Sequence, residues 1–169
     1  MREFELNCLK EISAIFNENY KGIVEKWVDL LNEEGIIKAE GETELFKNSF
    51  KEMLDSFIRY VGKGDVWSYL ESNKTVAEKI AISDIYFEKF IRIFHLFEDS
   101  YMQFILNPAN GCKKTIEYLT TLDKLNHETI IVVSKYYIEL YNDTVFALAK
   151  LAELRDNETG MHLERTRYY

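Results

Sequence analysis

The chain has 169 residues, a formal net charge of −8, 47% hydrophobic residues, eleven Phe, eleven Tyr and a single Pro. One domain's worth of chain with this apolar content can bury a core, which excludes a disordered polymer. Lys and Arg are dispersed among a larger number of acids, which argues against a nucleic-acid surface, and no apolar run approaches the roughly 20 residues of a membrane span.

The N-terminal Met1-Arg-Glu-Phe-Glu-Leu-Asn-Cys8 carries acids where a signal peptide needs an apolar stretch. Residues 3–17 read as a first helix, with Phe4, Cys8, Ile12, Ile15 and Phe16 at helical spacing. Asn17-Glu-Asn19 predicts a break. A second helix follows over 20–34, with Ile23, Val24, Trp27, Leu30 and Leu31 as its apolar stripe and Gly35 as its C-terminal cap. Thr43 is the expected N-cap of a third helix running to Val61, ended by Gly62-Lys-Gly64. A short helix over 65–70 is expected to turn Trp67 inward, and another short segment reaches Ile82.

Ser83-Asp84 predicts the start of a long helix to about Leu106, with apolar residues on more than one face, as in a central helix buried on several sides. Asn107-Pro-Ala-Asn-Gly111 is a turn. From Cys112 to Asp156 nothing breaks the helical pattern. At about 1.5 Å per residue this helix exceeds 60 Å, too long for a compact domain. Its first half is expected to pack into the domain. Its second half is expected to pair with its own copy in a parallel homodimer, along a seam through Val133, Tyr137, Leu140, Ala147 and Leu151. Thr144 falls in the same row, and the polar run Asn142-Asp-Thr144 is a candidate register-setting element. The expected division is a helical, dimerising domain over 1–150 and, over 151–169, a linker helix with the opening of a further, truncated domain.

The last stretch carries chemistry. Arg155-Asp-Asn-Glu-Thr-Gly-Met-His-Leu-Glu-Arg165 resembles the opening of the HD-GYP family of metal-dependent phosphohydrolases, which begins Arg-Asp-x-Glu-Thr-Gly-x-His-x-x-Arg. The resemblance covers about the last nineteen residues. It implies a longer parent enzyme of the cyclic di-GMP phosphodiesterase type, with iron(II) or manganese(II) at a site to which Glu158 and His162 contribute ligands. A carboxylate and an imidazole four residues apart share a helical face and can share a metal. The family's His-Asp pair and Gly-Tyr-Pro motif do not occur in these 169 residues, so neither catalysis nor a bound cofactor is expected of this stretch alone.

The order of elements over residues 18–150 is similar to the sensor domains of the stressosome RsbR type. That resemblance implies an all-α, globin-like helical bundle without haem, ending in a long C-terminal signalling helix. An interaction module of the stressosome kind is the alternative function, and a haem gas sensor a further one. Haem iron needs an axial ligand, usually His. No His lies in residues 65–82, where the globin arrangement supplies it. His95 follows Phe94 on an aromatic face, and His127 sits in Leu-Asn-His-Glu. If the aromatic residues line a pocket for an unknown small-molecule signal, Trp67, Phe90, Phe94 and His95 are the candidates. Asn126-His-Glu128 is not a dyad, because neighbouring helical residues point about 100° apart. Cys8 and Cys112 form no metal-type cluster, and reduced thiols in a cytoplasmic protein are expected.

Overall fold

Leu9, Ile12 and Phe16 recur at spacings of three and four and are fully buried, so the first helix lies at the centre of the molecule. A computed structural model describes residues 2–37, 40–75, 78–79 and 87–153. Among these residues the fold is an all-α bundle of six helices and two 3-10 turns, with no strand. The helices are α1 (Glu3–Glu18), α2 (Tyr20–Glu33), α3 (Glu40–Tyr60), α4 (Val66–Ser72), α5 (Phe87–Ile105) and α6 (Cys112–Glu153). Val61–Lys63 and Pro108–Asn110 are the 3-10 turns.

Helix α1 packs against α3, α5, α6 and the first 3-10 turn, while α2 lies on α5 and α3. The helices meet through a continuous run of rings. Trp27 stacks on Phe50 with centroids 4.1 Å apart, and Phe50 meets Phe97 edge-on at 5.2 Å. Phe97 meets Tyr101 at 5.0 Å, Tyr101 meets Phe16 at 4.9 Å, Phe16 meets Phe57 at 4.9 Å, and Phe57 meets Tyr69 at 5.5 Å. Tilted and edge-to-face pairs of this kind add to the area they bury, because each ring's positive edge meets its neighbour's negative face. The Trp27 indole N–H donates to the Ile93 carbonyl at 3.4 Å, so the buried ring keeps a polar partner.

Local chemistry sets the element ends. At the end of α2, the Gly35 N–H donates to the Asn32 carbonyl and the Ile36 N–H to the Leu31 carbonyl, both at 3.0 Å. This pair of bonds is the Schellman arrangement, and it requires the left-handed φ of +63° that Gly35 adopts. Gly62 meets a different demand. A Cβ there would stand 2.7 Å from the Ser13 Oγ, so the missing side chain lets α1 cross the 3-10 turn closely. Asp65 caps α4 by accepting from the Ser68 N–H at 3.0 Å and the Ser68 hydroxyl at 2.6 Å.

Three local expectations are corrected. Helix α3 begins at Glu40, so Thr43 lies inside its first turn rather than capping it. Phe4 is 45% exposed beside Arg2, and Leu9 takes the place in the core expected for it. Trp67 does not turn inward: it is 71% exposed, and Tyr69, two residues on, fills the core at 1%.

Helix α6 is a single helix of 42 residues, about 60 Å long. Tyr118, Thr121, Leu122, Leu125, Asn126, Thr129 and Val133 form a buried stripe down its first half. Tyr136 and Tyr137 pack partly against the core and are the last residues of α6 to do so. Ion pairs along α1 pin the same half: Lys114 to Glu11 at 2.8 Å and Lys124 to Glu5 at 2.6 Å, with the Tyr118 hydroxyl donating to Glu11 at 2.6 Å.

Candidate functional site

Two features of α6 carry functional information: a polar cluster where it packs on α5, and the face that it leaves uncovered beyond the bundle.

The cluster is built from residues one helical turn apart. On α5, His95, Glu98 and Tyr101 follow at intervals of three; on α6, Asn126 faces them from within the buried stripe. The Asn126 amide donates to the Tyr101 hydroxyl oxygen at 2.6 Å and to the Glu98 carboxylate at 3.1 Å. His95 Nδ1 stands 3.9 Å from the other Glu98 oxygen. Burial pushes the Glu98 carboxyl above its ordinary range, against the opposing pull of His95 and the Asn126 hydrogen bond. Burial likewise raises the Tyr101 hydroxyl far above the usual tyrosine range. A cavity of about 210 Å³ adjoins the cluster, lined by Glu98, Tyr101, Met102, Leu119, Leu122 and Asn126 among others. The arrangement can offer a hydrogen bond to a small polar molecule. It contains no activated nucleophile.

A second cavity, about 240 Å³, lies between α3 and α4 and is lined by Glu52, Asp55, Ser56, Arg59, Asn73 and Thr75 among others. Its rim is polar. Of the rings in the core run, Tyr101 lines the first cavity and none lines the second.

The sequence-derived pocket candidates do not converge. Phe94 is buried and His95 is exposed on α5. Trp67 is on the outer surface of α4, so it lines no interior pocket. The Phe90 side chain lies outside the described residues. With half of its side chain exposed next to Glu98, His95 does not fit an axial haem ligand, which requires an imidazole directed into an enclosed apolar cleft. His127 is exposed too. Glu158 and His162 lie outside the described residues. No group of three or more His, Cys, Asp or Glu among the described residues could hold a metal ion.

The residues of the seam expected along α6 do not share one environment. Val133 is completely buried in the chain's own core, and Tyr137 packs against that core. Leu140 is half-buried, while Ala147 and Leu151 are exposed. In the second half of α6 the large apolar side chains left uncovered are Ile138 at 48%, Tyr141 at 59%, Val145 at 47%, Leu148 at 61% and Leu151 at 64%. Four of these five form a row one residue round the helix from the expected one. Thr144 turns its hydroxyl back to the Leu140 carbonyl at 2.8 Å, so its polarity is satisfied within the helix.

Glu98 and Asn126 were not singled out as a pair by sequence. The available signal was Asn126 standing in the stripe Leu122, Leu125, Thr129, where a polar residue needs a partner from another helix. No protein-family profile matches the chain, and comparisons with curated proteins and with solved structures find no match either.

Proposed function

We propose that the chain is a cytoplasmic sensory and dimerisation domain that controls a metal-dependent phosphohydrolase of the HD-GYP type, with α6 as its output helix. The observation that supports this most directly is the division of α6. Its first half is held in the bundle by Tyr118, Leu122, Leu125 and Val133, and its second half runs past the bundle to Glu153, two residues before the Arg155–Arg165 motif in sequence. A helix anchored in this way carries a displacement of the bundle to its far end as a rotation or translation, without a hinge to absorb it. The Glu98–Asn126–Tyr101 cluster lies at the α5–α6 contact, where a signal can bias two packings of the helix.

In the parent enzyme, Glu158 and His162 would supply ligands to iron(II) or manganese(II), which would supply Lewis-acid activation of water for phosphodiester hydrolysis. Reading the coding sequence past Tyr169 tests this first, and a metal-dependent assay on the complete protein follows. The expected result is a His-Asp pair, a Gly-Tyr-Pro motif and hydrolysis of cyclic di-GMP that Glu158→Ala and His162→Ala both weaken. A coding sequence without those motifs, or a complete protein inert towards cyclic dinucleotides with either metal, overturns the reading.

A second reading, an interaction module of the stressosome kind, is favoured by the filled aromatic core, in which ring meets ring from Trp27 to Tyr69. Native mass spectrometry separates the two. A retained small molecule supports a ligand sensor; a bare chain that binds a protein partner supports the module.

A further inference from the structure

The uncovered face of α6 has a pattern that the bundle does not explain. Ile138, Tyr141, Val145 and Leu148 are all about half exposed or more, at spacings of three, four and three. Ala152 continues the row towards the C-terminus, and Ile131 and Ser134 continue it back towards the bundle. In heptad terms Ile131, Ile138, Val145 and Ala152 occupy position a, and Ser134, Tyr141 and Leu148 position d. The charges of this stretch, Glu139, Asp143 and Lys150, all fall at positions b and f, on the far side of the helix. The flanking e and g positions, Tyr137, Asn142, Thr144, Ala149 and Leu151, are uncharged.

This distribution selects one kind of occupant. A chain of net charge −8 is repelled by its own copy wherever acids face each other. From residue 136 to residue 152, however, the a, d, e and g positions bring no charge into a symmetric contact. β-Branched Ile138 and Val145 at a, with Leu148 at one d position, suit a parallel two-stranded coil.

We infer that a second copy of this chain covers the face, forming a parallel, in-register two-stranded coiled coil through Ile138, Tyr141, Val145, Leu148 and Ala152. The inference deepens the reading of α6 as an output helix and rests on it. It moves the contact off the row through Val133, Tyr137 and Leu140, whose first two members the bundle already uses. A parallel pair delivers both C-terminal ends to the same side, and an in-register core places each seam residue opposite itself.

Sedimentation of the 169-residue chain tests the inference, with variants beyond Tyr137, where α6 last packs on the core, so that the bundle is not disturbed. The wild type is expected to be a dimer. Ile138→Asp and Leu148→Asp are expected to weaken it by at least about a hundredfold, because each copy buries an unpaired charge. Glu139→Lys on the outer face and Leu140→Asp on the neighbouring row are expected to leave the dimer in place. In a Cys112→Ser background, Val145→Cys is expected to form an interchain disulfide under mild oxidation, and Glu139→Cys is not. Circular dichroism confirms that each variant keeps its helical bundle. A monomeric wild type, a dimer that survives both Asp variants, or cross-linking at 139 in preference to 145 overturns the inference. None of these outcomes depends on hydrolytic activity, so the coil and the phosphohydrolase reading fail separately.

Discussion

Trp27 is 2% exposed and stacked on Phe50, whereas Trp67 is 71% exposed on the outer side of α4. Both are large apolar residues on helices; only their neighbours differ. Phe16 contacts Phe57, Phe97 and Tyr101, so Phe16→Ala removes a ring from the middle of the core and is expected to cost about 3–5 kcal/mol in urea unfolding. Trp67→Ala in the same assay is expected to stay within about 0.5 kcal/mol of the wild type. Charge at single residues sets the response to pH. The Glu5 carboxyl is held at about 2, down from 4.5, chiefly by its hydrogen bond from Lys124 and then by Arg2. Its folded value is depressed, so its contribution is complete above 4.5 and is lost as pH falls through about 2. Glu5→Gln is therefore expected to destabilise the protein at neutral pH and to flatten the acid limb of its stability curve across that window. A series of urea titrations at falling pH measures both effects.

Elements begin and end where local chemistry tells them to. The Schellman bonds at Gly35 and the Asp65 cap need only residues within a few positions, and Gly35 marked the end of α2 in the sequence. Asp65→Ala is expected to cost about 1 kcal/mol, read as a lowered thermal midpoint with the fold intact. Contacts between elements were less legible. The partnership of Glu98 with Asn126 spans two helices and depends on their rotation about their axes. Burial raises the folded-state pKa of Glu98, so its contribution favours folding at low pH and is lost as pH rises through the raised value. Glu98→Gln keeps an acceptor for Asn126 and removes the buried charge. Thermal melts are expected to show a higher midpoint than wild type at neutral pH and no gain in acid; a lower midpoint at neutral pH would show that the ionised carboxylate stabilises the α5–α6 contact.

At the scale of the molecule, the bundle ends where α6 ceases to touch it. Val133 is the last fully buried residue of that helix, and Tyr136 and Tyr137 close the contact. A chain ended after residue 139 is expected to unfold cooperatively and to keep its near-ultraviolet dichroism, since the run of rings from Trp27 to Tyr69 through Tyr101 lies before that point. The same truncation removes the uncovered apolar row and is expected to abolish self-association. Among the described residues, no helix is long and apolar enough to cross a membrane, so the exposed row is not part of a spanning segment.

The all-α architecture, the helix termini at Asn19, Gly35 and Gly111, and the unbroken run of α6 followed from the sequence alone, because periodicity, caps and turn residues act within a few positions of themselves. The tertiary structure decided which apolar face each helix buries. Along α6, two adjacent rows are both apolar: Val133, Tyr137, Leu140, Ala147 and Leu151 in one, and Ile138, Tyr141, Val145 and Leu148 in the other. A rotation of about 100° per residue separates them, and the hydrophobic pattern is satisfied by either. Packing against α1, α4 and α5 committed Val133 and its predecessors to the bundle and left the second row outside. Trp67 and Tyr69 were sorted the same way: two residues apart on a short helix, only one could meet Phe57, and the distant ring determined which.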